Sequence, residues 1–241
     1  MTYIIYMSLF LVFLLFLFLE RAFPARPQPF EWRWFVRATT MNMVQLAILV
    51  AIGIWLNPWM APYALVPWVG TLPPLIGGIA AAILASLFQY FWHRAAHAND
   101  FLWRTFHQLH HSPTRIDLLA TDYTHPLDHI VFTVFNSVAA VGIFGLTDVG
   151  IAWSVFVYGV NNYYAHCNIR SPRWFGLLLQ RPEMHRVHHR LDHHAQNYGL
   201  PMWDMMFGTF ANPETADFPV GFSDGRELRV RDMLLGKDVH V

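Results

Sequence analysis

The chain has 241 residues, 55% hydrophobic and only 13% charged, and its 16 Lys and Arg balance its 16 Asp and Glu. A soluble domain usually carries about 25% charged residues, so the composition points to a membrane, and the lack of a positive excess points away from nucleic acid. One cysteine, Cys167, excludes an internal disulfide, a four-cysteine iron–sulfur cluster and a cysteine-based zinc site, so any metal must be held by nitrogen and oxygen.

Residues 3–19 form the first uncharged run, without the basic start or small-residue cleavage site of a signal peptide. Residues 39–56 and 75–92 form two more runs of 18 residues each. At about 1.5 Å per residue such a helix reaches roughly 27 Å, close to the bilayer's hydrocarbon thickness. Residues 57–74 hold five prolines and predict a non-helical loop. Helix is expected to continue past Trp92, carrying His93 and His97 out of the membrane. Asn99-Asp100 then caps a new helix bearing His107, His110 and His111, which Ser112-Pro113 ends. Residues 114–128 read as irregular. Residues 130–146 and 151–165 are two further uncharged runs joined by a short turn, either a spanning hairpin or one that dips into the membrane. Pro182 suits the first turn of a short helix carrying His185, His188 and His189. The polar stretch after Phe210 reads as a soluble cap or a frayed end.

All 16 Lys and Arg fall on one side of this five-segment arrangement. The positive-inside rule makes that side cytoplasmic, and every histidine cluster lies on it. The expected fold is an all-α integral membrane protein. It has about four to five transmembrane or membrane-dipping helices and a cytoplasmic helical cap carrying a histidine-rich dimetal site.

Thirteen of the 14 histidines lie between His93 and His194. Residues three and four apart share a helix face. His93/His97, His107/His110/His111 and His185/His188/His189 should each therefore aim two or three ring nitrogens the same way. A lone histidine in an apolar helix is more often a hydrogen-bonded structural residue, which is the reading for His129 and His240; for His125 the two readings balance. Three clusters at helical spacing are different: massed imidazoles without a metal would each need a partner when buried and would repel when protonated. Eight clustered histidines exceed the three or four ligands of one zinc, so two metals are expected. All-nitrogen ligation suits iron, zinc or copper.

The motifs His93-Arg-Ala-Ala-His97, His107-Gln-Leu-His110-His111 and His185-Arg-Val-His188-His189 resemble those of the fatty acid hydroxylase/sterol desaturase superfamily, integral-membrane di-iron oxygenases. His166-Cys-Asn, Pro182-Glu-Met, Asn197-Tyr-Gly and Trp203-Asp-Met-Met-Phe-Gly-Thr209 are similar to the closing motifs of that family in order and spacing. The likeness covers about residues 75–212. It implies N-terminal anchor helices over 1–74, a catalytic domain over 75–212 and a polar tail over 213–241. It also implies two iron ions held by His93, His97, His107, His110, His111, His185, His188 and His189, with His166 as a ninth ligand. His125 and Asn162 are further candidates. Asp204 would orient a ligand imidazole or simply cap a helix. His193 and His194 fall just past the last box, where a solvated loop explains them as well.

The activity so implied is O2-dependent hydroxylation or desaturation of a lipid drawn from the bilayer. The aromatics Trp92, Phe101, Trp103, Phe106, Tyr158, Tyr163 and Tyr164 would line an apolar slot or form an interfacial belt. The chain has no dinucleotide-binding G-x-G-x-x-G and no candidate haem domain, so a ferredoxin or cytochrome-type donor must supply electrons. Two other classes compete. A zinc-dependent membrane hydrolase needs a general base near an open zinc, and there is no His-Glu-x-x-His box. A non-catalytic metal-binding or transport protein needs ionisable residues along its spans, which here hold only amides and hydroxyls.

Overall fold

The computed structural model describes residues 1–191, 193 and 195–240. Among them there is no β-strand, only one antiparallel bridge between Arg190 and Val220. Ten α-helices follow in order: α1 Thr2–Ala22, α2 Trp32–Met60, α3 Pro74–Ala98, α4 Asp100–Leu102, α5 Gln108–His111, α6 Pro126–Ser137, α7 Asp148–His166, α8 Pro182–His188, α9 Pro201–Phe207 and α10 Val230–Leu234. Two π-helical segments, Trp103–His107 and Val138–Ile143, continue α4 and α6.

Four helical stretches are long and apolar enough to cross a membrane: Thr2–Ala22, Trp32–Tyr63, Pro74–Ala98 and Pro126–Ile143. α1 is apolar on all sides and buries only Ile5 and Glu20, the pattern of a helix that faces lipid. α7, built from the fifth uncharged run, is not among the four; it carries Asn161, Asn162 and three tyrosines and packs against α1 and α3. At the end of α2 remote from its arginines, Trp55, Trp59, Tyr63 and Trp68 are exposed, as in an aromatic belt at a membrane interface.

The proline-rich connection is more helical than its composition predicts. α2 runs through Pro58 to Met60, and 3-10 turns occupy Ala61–Tyr63 and Pro67–Thr71. A proline in the last turn removes only one helical hydrogen bond and there is little helix left to kink. Asn99 behaves as expected: its side chain accepts from Leu102 N at 3.0 Å and starts the next helix.

The irregular segment after His111 is pinned by the first two helices. Glu20 of α1 accepts from Leu118 N at 2.9 Å, Asn42 Nδ2 of α2 donates to Leu119 O at 3.0 Å, and Gln45 Nε2 donates to Thr124 O at 2.7 Å. These three side chains explain why polar groups occur in otherwise apolar helices. The C-terminal stretch is not frayed. Phe222, Met233 and Val239 join Trp34, Leu109 and Tyr123 in a buried cluster, so the tail caps the histidine helices.

Candidate metal centre

Nine buried or half-buried histidines converge from five helical elements and form two groups. His93, His97, His107, His111 and His188 make one; His110, His166, His185 and His189 make the other. Within each group one ring nitrogen per residue lies within 4.8 Å of the others. These are the nine positions that the sequence motifs single out.

The grouping corrects the expectation that each triplet aims one way. His107 and His111 point into the first group and His110 into the second; His185 and His189 point into the second and His188 into the first. At about 100° per residue, position i+4 lies about 40° from i, whereas i+3 lies about 60° to the other side. Each triplet therefore straddles the boundary and serves both groups. The two groups touch where the rings of His111 and His189 stack at 4.1 Å. The π-helical turn Trp103–His107 widens the helix just before the second box, a distortion that recurs at functional sites.

Outward hydrogen bonds set the orientation of the rings. His93 Nδ1 donates to Tyr198 O at 2.7 Å, His166 Nδ1 to Asn162 O at 2.9 Å, His188 Nδ1 to Gln196 O at 2.8 Å, and His110 Nδ1 to Tyr123 O at 3.4 Å. His107 Nδ1 meets the carboxylate of Asp128 at 2.7 Å. A neutral imidazole carries one N–H, so five rings that donate outward through Nδ1 present Nε2 lone pairs inward. Burial and the neighbouring rings hold His110, His111, His185, His188 and His189 well below the usual histidine range, so they are neutral.

Inward, Nε2 atoms crowd together: His185 lies 2.9 Å from His166 and 3.0 Å from His189, and His111 lies 3.0 Å from His188. His93 Nε2 is buried with no hydrogen-bond partner. Lone pairs aimed at one another, with an orphaned nitrogen beside them, form a donor set that fits a pair of cations.

The other candidates take different places. His125 caps α6: its Nδ1 accepts from Leu127 N at 3.1 Å and its Nε2 donates to Leu234 O at 3.3 Å. Both its nitrogens are thus committed to backbone groups, and it lies outside the two histidine groups. Asn162 lends its backbone carbonyl to His166, and its side chain lines the adjoining cavity. Among the described residues Asp204 touches no imidazole. It accepts from Tyr198 N at 2.9 Å, Gly199 N at 3.3 Å and Thr209 Oγ1 at 2.7 Å; it holds the turn whose Tyr198 carbonyl holds His93. His193 contacts the Gln196 side chain at 3.2 Å, and His240 packs on Phe222. His194 lies outside the described residues.

The residue that sequence reading missed is Asp128. Its carboxylate bonds His107 and also accepts from Trp92 Nε1 at 2.7 Å. Its one sequence signal is a carboxylate at the mouth of an apolar run, three residues after a proline-flanked histidine.

A cavity of about 180 Å³ opens beside the histidines. His93, His107, His110, His166 and His185 form one end of it, and Leu9, Leu49, Phe132 and Val155 from the apolar helices form the other. Tyr158 and Tyr163 also line it, whereas Trp103 packs on His97 and His111, and Trp92 on Phe106.

The chain is similar to known proteins over this region. It is 32% identical over 156 residues to an ornithine lipid hydroxylase of Rhizobium tropici, covering 61% of this chain and 45% of that protein. A very-long-chain aldehyde decarbonylase of Oryza sativa is 27% identical over 63% of this chain and 60% of its own length. A cholesterol 25-hydroxylase-like protein of Danio rerio is 28% identical over 72% of this chain and 64% of its own length. The chain thus spans about half to two thirds of these relatives. No solved structure matches it. The sequence pattern of the Fatty acid hydroxylase family matches residues 78–209, from the glycines of α3 past the last histidine box, and with the histidines gathered as they are, the chain belongs to that family.

Proposed function

We propose that the protein is a membrane-bound di-iron oxygenase that uses O2 to hydroxylate or desaturate a C–H bond of a lipid. One observation carries this reading: the nine histidines close into two adjoining groups at the end of a cavity that reaches up among the apolar helices. The names of the relatives, which refer to ornithine lipid, a very-long-chain aldehyde and cholesterol, support a lipid substrate.

His93, His97, His107, His111 and His188 would hold one iron, and His110, His166, His185 and His189 the other. Bound there, the irons supply the redox chemistry that activates O2. The chain supplies the rest. Asp128 and the carbonyls of Tyr198, Tyr123, Asn162 and Gln196 lock the imidazole tautomers, as outer partners of ligand histidines do. The buried rings and the cap formed by the C-terminal stretch keep water away. The cavity is smaller than the roughly 300 Å³ of a pocket that engulfs a drug-sized ligand. It takes in the reacting part of the lipid between Leu9, Leu49, Phe132 and Val155, while the remainder stays in the bilayer. The one-sided Lys and Arg support a cytoplasmic site and a basic face on which a ferredoxin or cytochrome-type donor docks.

Metal analysis of the purified protein tests the proposal. About two irons per chain, with O2-dependent oxidation or desaturation of a membrane lipid, is the expected result. A single zinc with hydrolytic activity and no O2 uptake would overturn it.

A further inference from the structure

The cavity beside the histidines contains a carboxylate that neither the metal centre nor the packing uses. Asp122 lines the same space as His93, His107, His110, His166 and His185. It sits in the turn before α6, a rigid one. Gln45 fixes the neighbouring Thr124 carbonyl, and Thr124 N donates to the backbone carbonyl of Asp122 itself at 2.9 Å. The Asp122 carboxylate, in contrast, has no hydrogen bond or salt bridge to any described residue. Its electrostatic neighbours are Tyr158, Tyr163 and His129, which line the same cavity; His129 Nε2 is buried with no hydrogen-bond partner.

Several amides of the wall are committed to the protein. Gln89 Nε2 donates to Phe132 O, Asn136 Oδ1 accepts from Ser154 Oγ, and Asn161 Oδ1 accepts from Gln180 N. Tyr158, Tyr163 and Asn162 also line the cavity, but of its two carboxylates among the described residues Asp128 is bound to His107 and Trp92, which leaves Asp122 as the one available to a ligand. Withdrawal from water already lifts the Asp122 carboxyl above its usual range. Asp122 is half-buried, and a carboxylate partly withdrawn from solvent without a donor gains from a ligand that brings one.

We propose that Asp122, with His129 beside it, is a head-group subsite that selects lipids bearing a hydrogen-bond donor, most strongly an ammonium, and disfavours lipids that end in a bare carboxylate. The inference rests on the reading of the cavity as the lipid site. The apolar wall of Leu9, Leu49, Phe132 and Val155 takes the chain, Asp122 takes the donor, and the histidine end faces the carbon to be oxidised.

The test is a binding series on the purified, metal-loaded protein in one detergent, with tetradecylamine, tetradecanol and tetradecanoate as probes and thermal shift and titration calorimetry as readouts. The amine should bind tightest and the carboxylate weakest. Asp122→Asn should weaken the amine by about tenfold or more, the size of a lost hydrogen bond to a charged group, and shrink its advantage over the carboxylate while iron content stays unchanged. Equal binding of amine and carboxylate to the unaltered protein overturns the proposal, and so does an unchanged order in Asp122→Asn. The order in the unaltered protein needs no variant to fold. Binding also needs no turnover, so absence of iron or of O2-dependent activity counts against the oxygenase reading and leaves the head-group preference measurable.

Discussion

His107 Nδ1 lies 2.7 Å from a carboxylate oxygen of Asp128, and both side chains are withdrawn from solvent. Asp128 occupies the first turn of α6, where unpaired backbone N–H groups favour a negative charge. Its second oxygen takes the indole N–H of Trp92. The carboxylate thus ties a ring of the second box to the helix that carries the first, and sets which nitrogen of His107 faces inward.

Asp128→Asn should weaken metal binding without unfolding the protein. The amide oxygen can satisfy either His107 or Trp92, and its NH2 then faces the other N–H. Loss of such an outer partner typically costs about 10- to 100-fold in metal affinity. Competition with a chelator, followed by metal analysis, should show that loss; equal retention in variant and parent would remove Asp128 from this role.

The two groups differ in reserve. The first has five histidines and the second four, so removal of one leaves four nitrogens in the first and three in the second. His166→Ala should therefore deplete metal more than His97→Ala. Purified side by side, the His97 variant is expected to keep more metal per chain. The reverse order would show that the second group does not depend on all four rings.

How far the sequence reveals this site depends on which interactions are local. The histidine spacing lies within single helical turns, so eight of the nine residues are legible from spacing and His166 only from the family resemblance; the Asn99 cap and the Pro182 start are legible too. The division into two groups is not. It depends on the phase of each helix about its axis, and a π-helical turn over Trp103–His107 shifts that phase. Asp128 and Tyr198 act across 21 and 105 residues of chain, and no short-range pattern encodes such a partner. Asp204 lies in a recognisable motif, yet it acts through the turn at Tyr198 and Gly199. The five-proline loop misleads because proline near a helix end costs little.

Acidification should destabilise the metal-free protein. His110, His111, His185, His188 and His189 are pushed well below the ordinary value by burial and by one another. The unfolded chain therefore takes up protons first as pH falls. Stability present above about pH 6.5 is lost below it, at about 1.4 kcal/mol per pH unit for each such ring. Unfolding midpoints in detergent should drop steeply from about pH 7 to pH 5.5, and less steeply in His188→Gln/His189→Gln. A flat profile would contradict the burial of these rings as neutral groups.

The close crossing of α3 and α7 is the support on which both groups rest, because α3 carries His93 and His97 and α7 carries His166. Gly78 makes the crossing possible: a Cβ there would stand 2.5 Å from Trp153 Cβ and 2.9 Å from both Gly150 O and Ser154 N. Two of these are backbone atoms and cannot swing aside, so Gly78→Ala must push the helices apart. Overpacking of this kind typically costs about 1–3 kcal/mol. Gly53 in α2 is the control, since a Cβ there meets nothing within 4 Å and alanine is the better helix former by about 1 kcal/mol. Gly78→Ala should lower the unfolding midpoint and release metal at lower chelator concentration, while Gly53→Ala leaves metal retention unchanged. If both variants held metal equally well, the α3–α7 spacing would not govern the geometry of the centre.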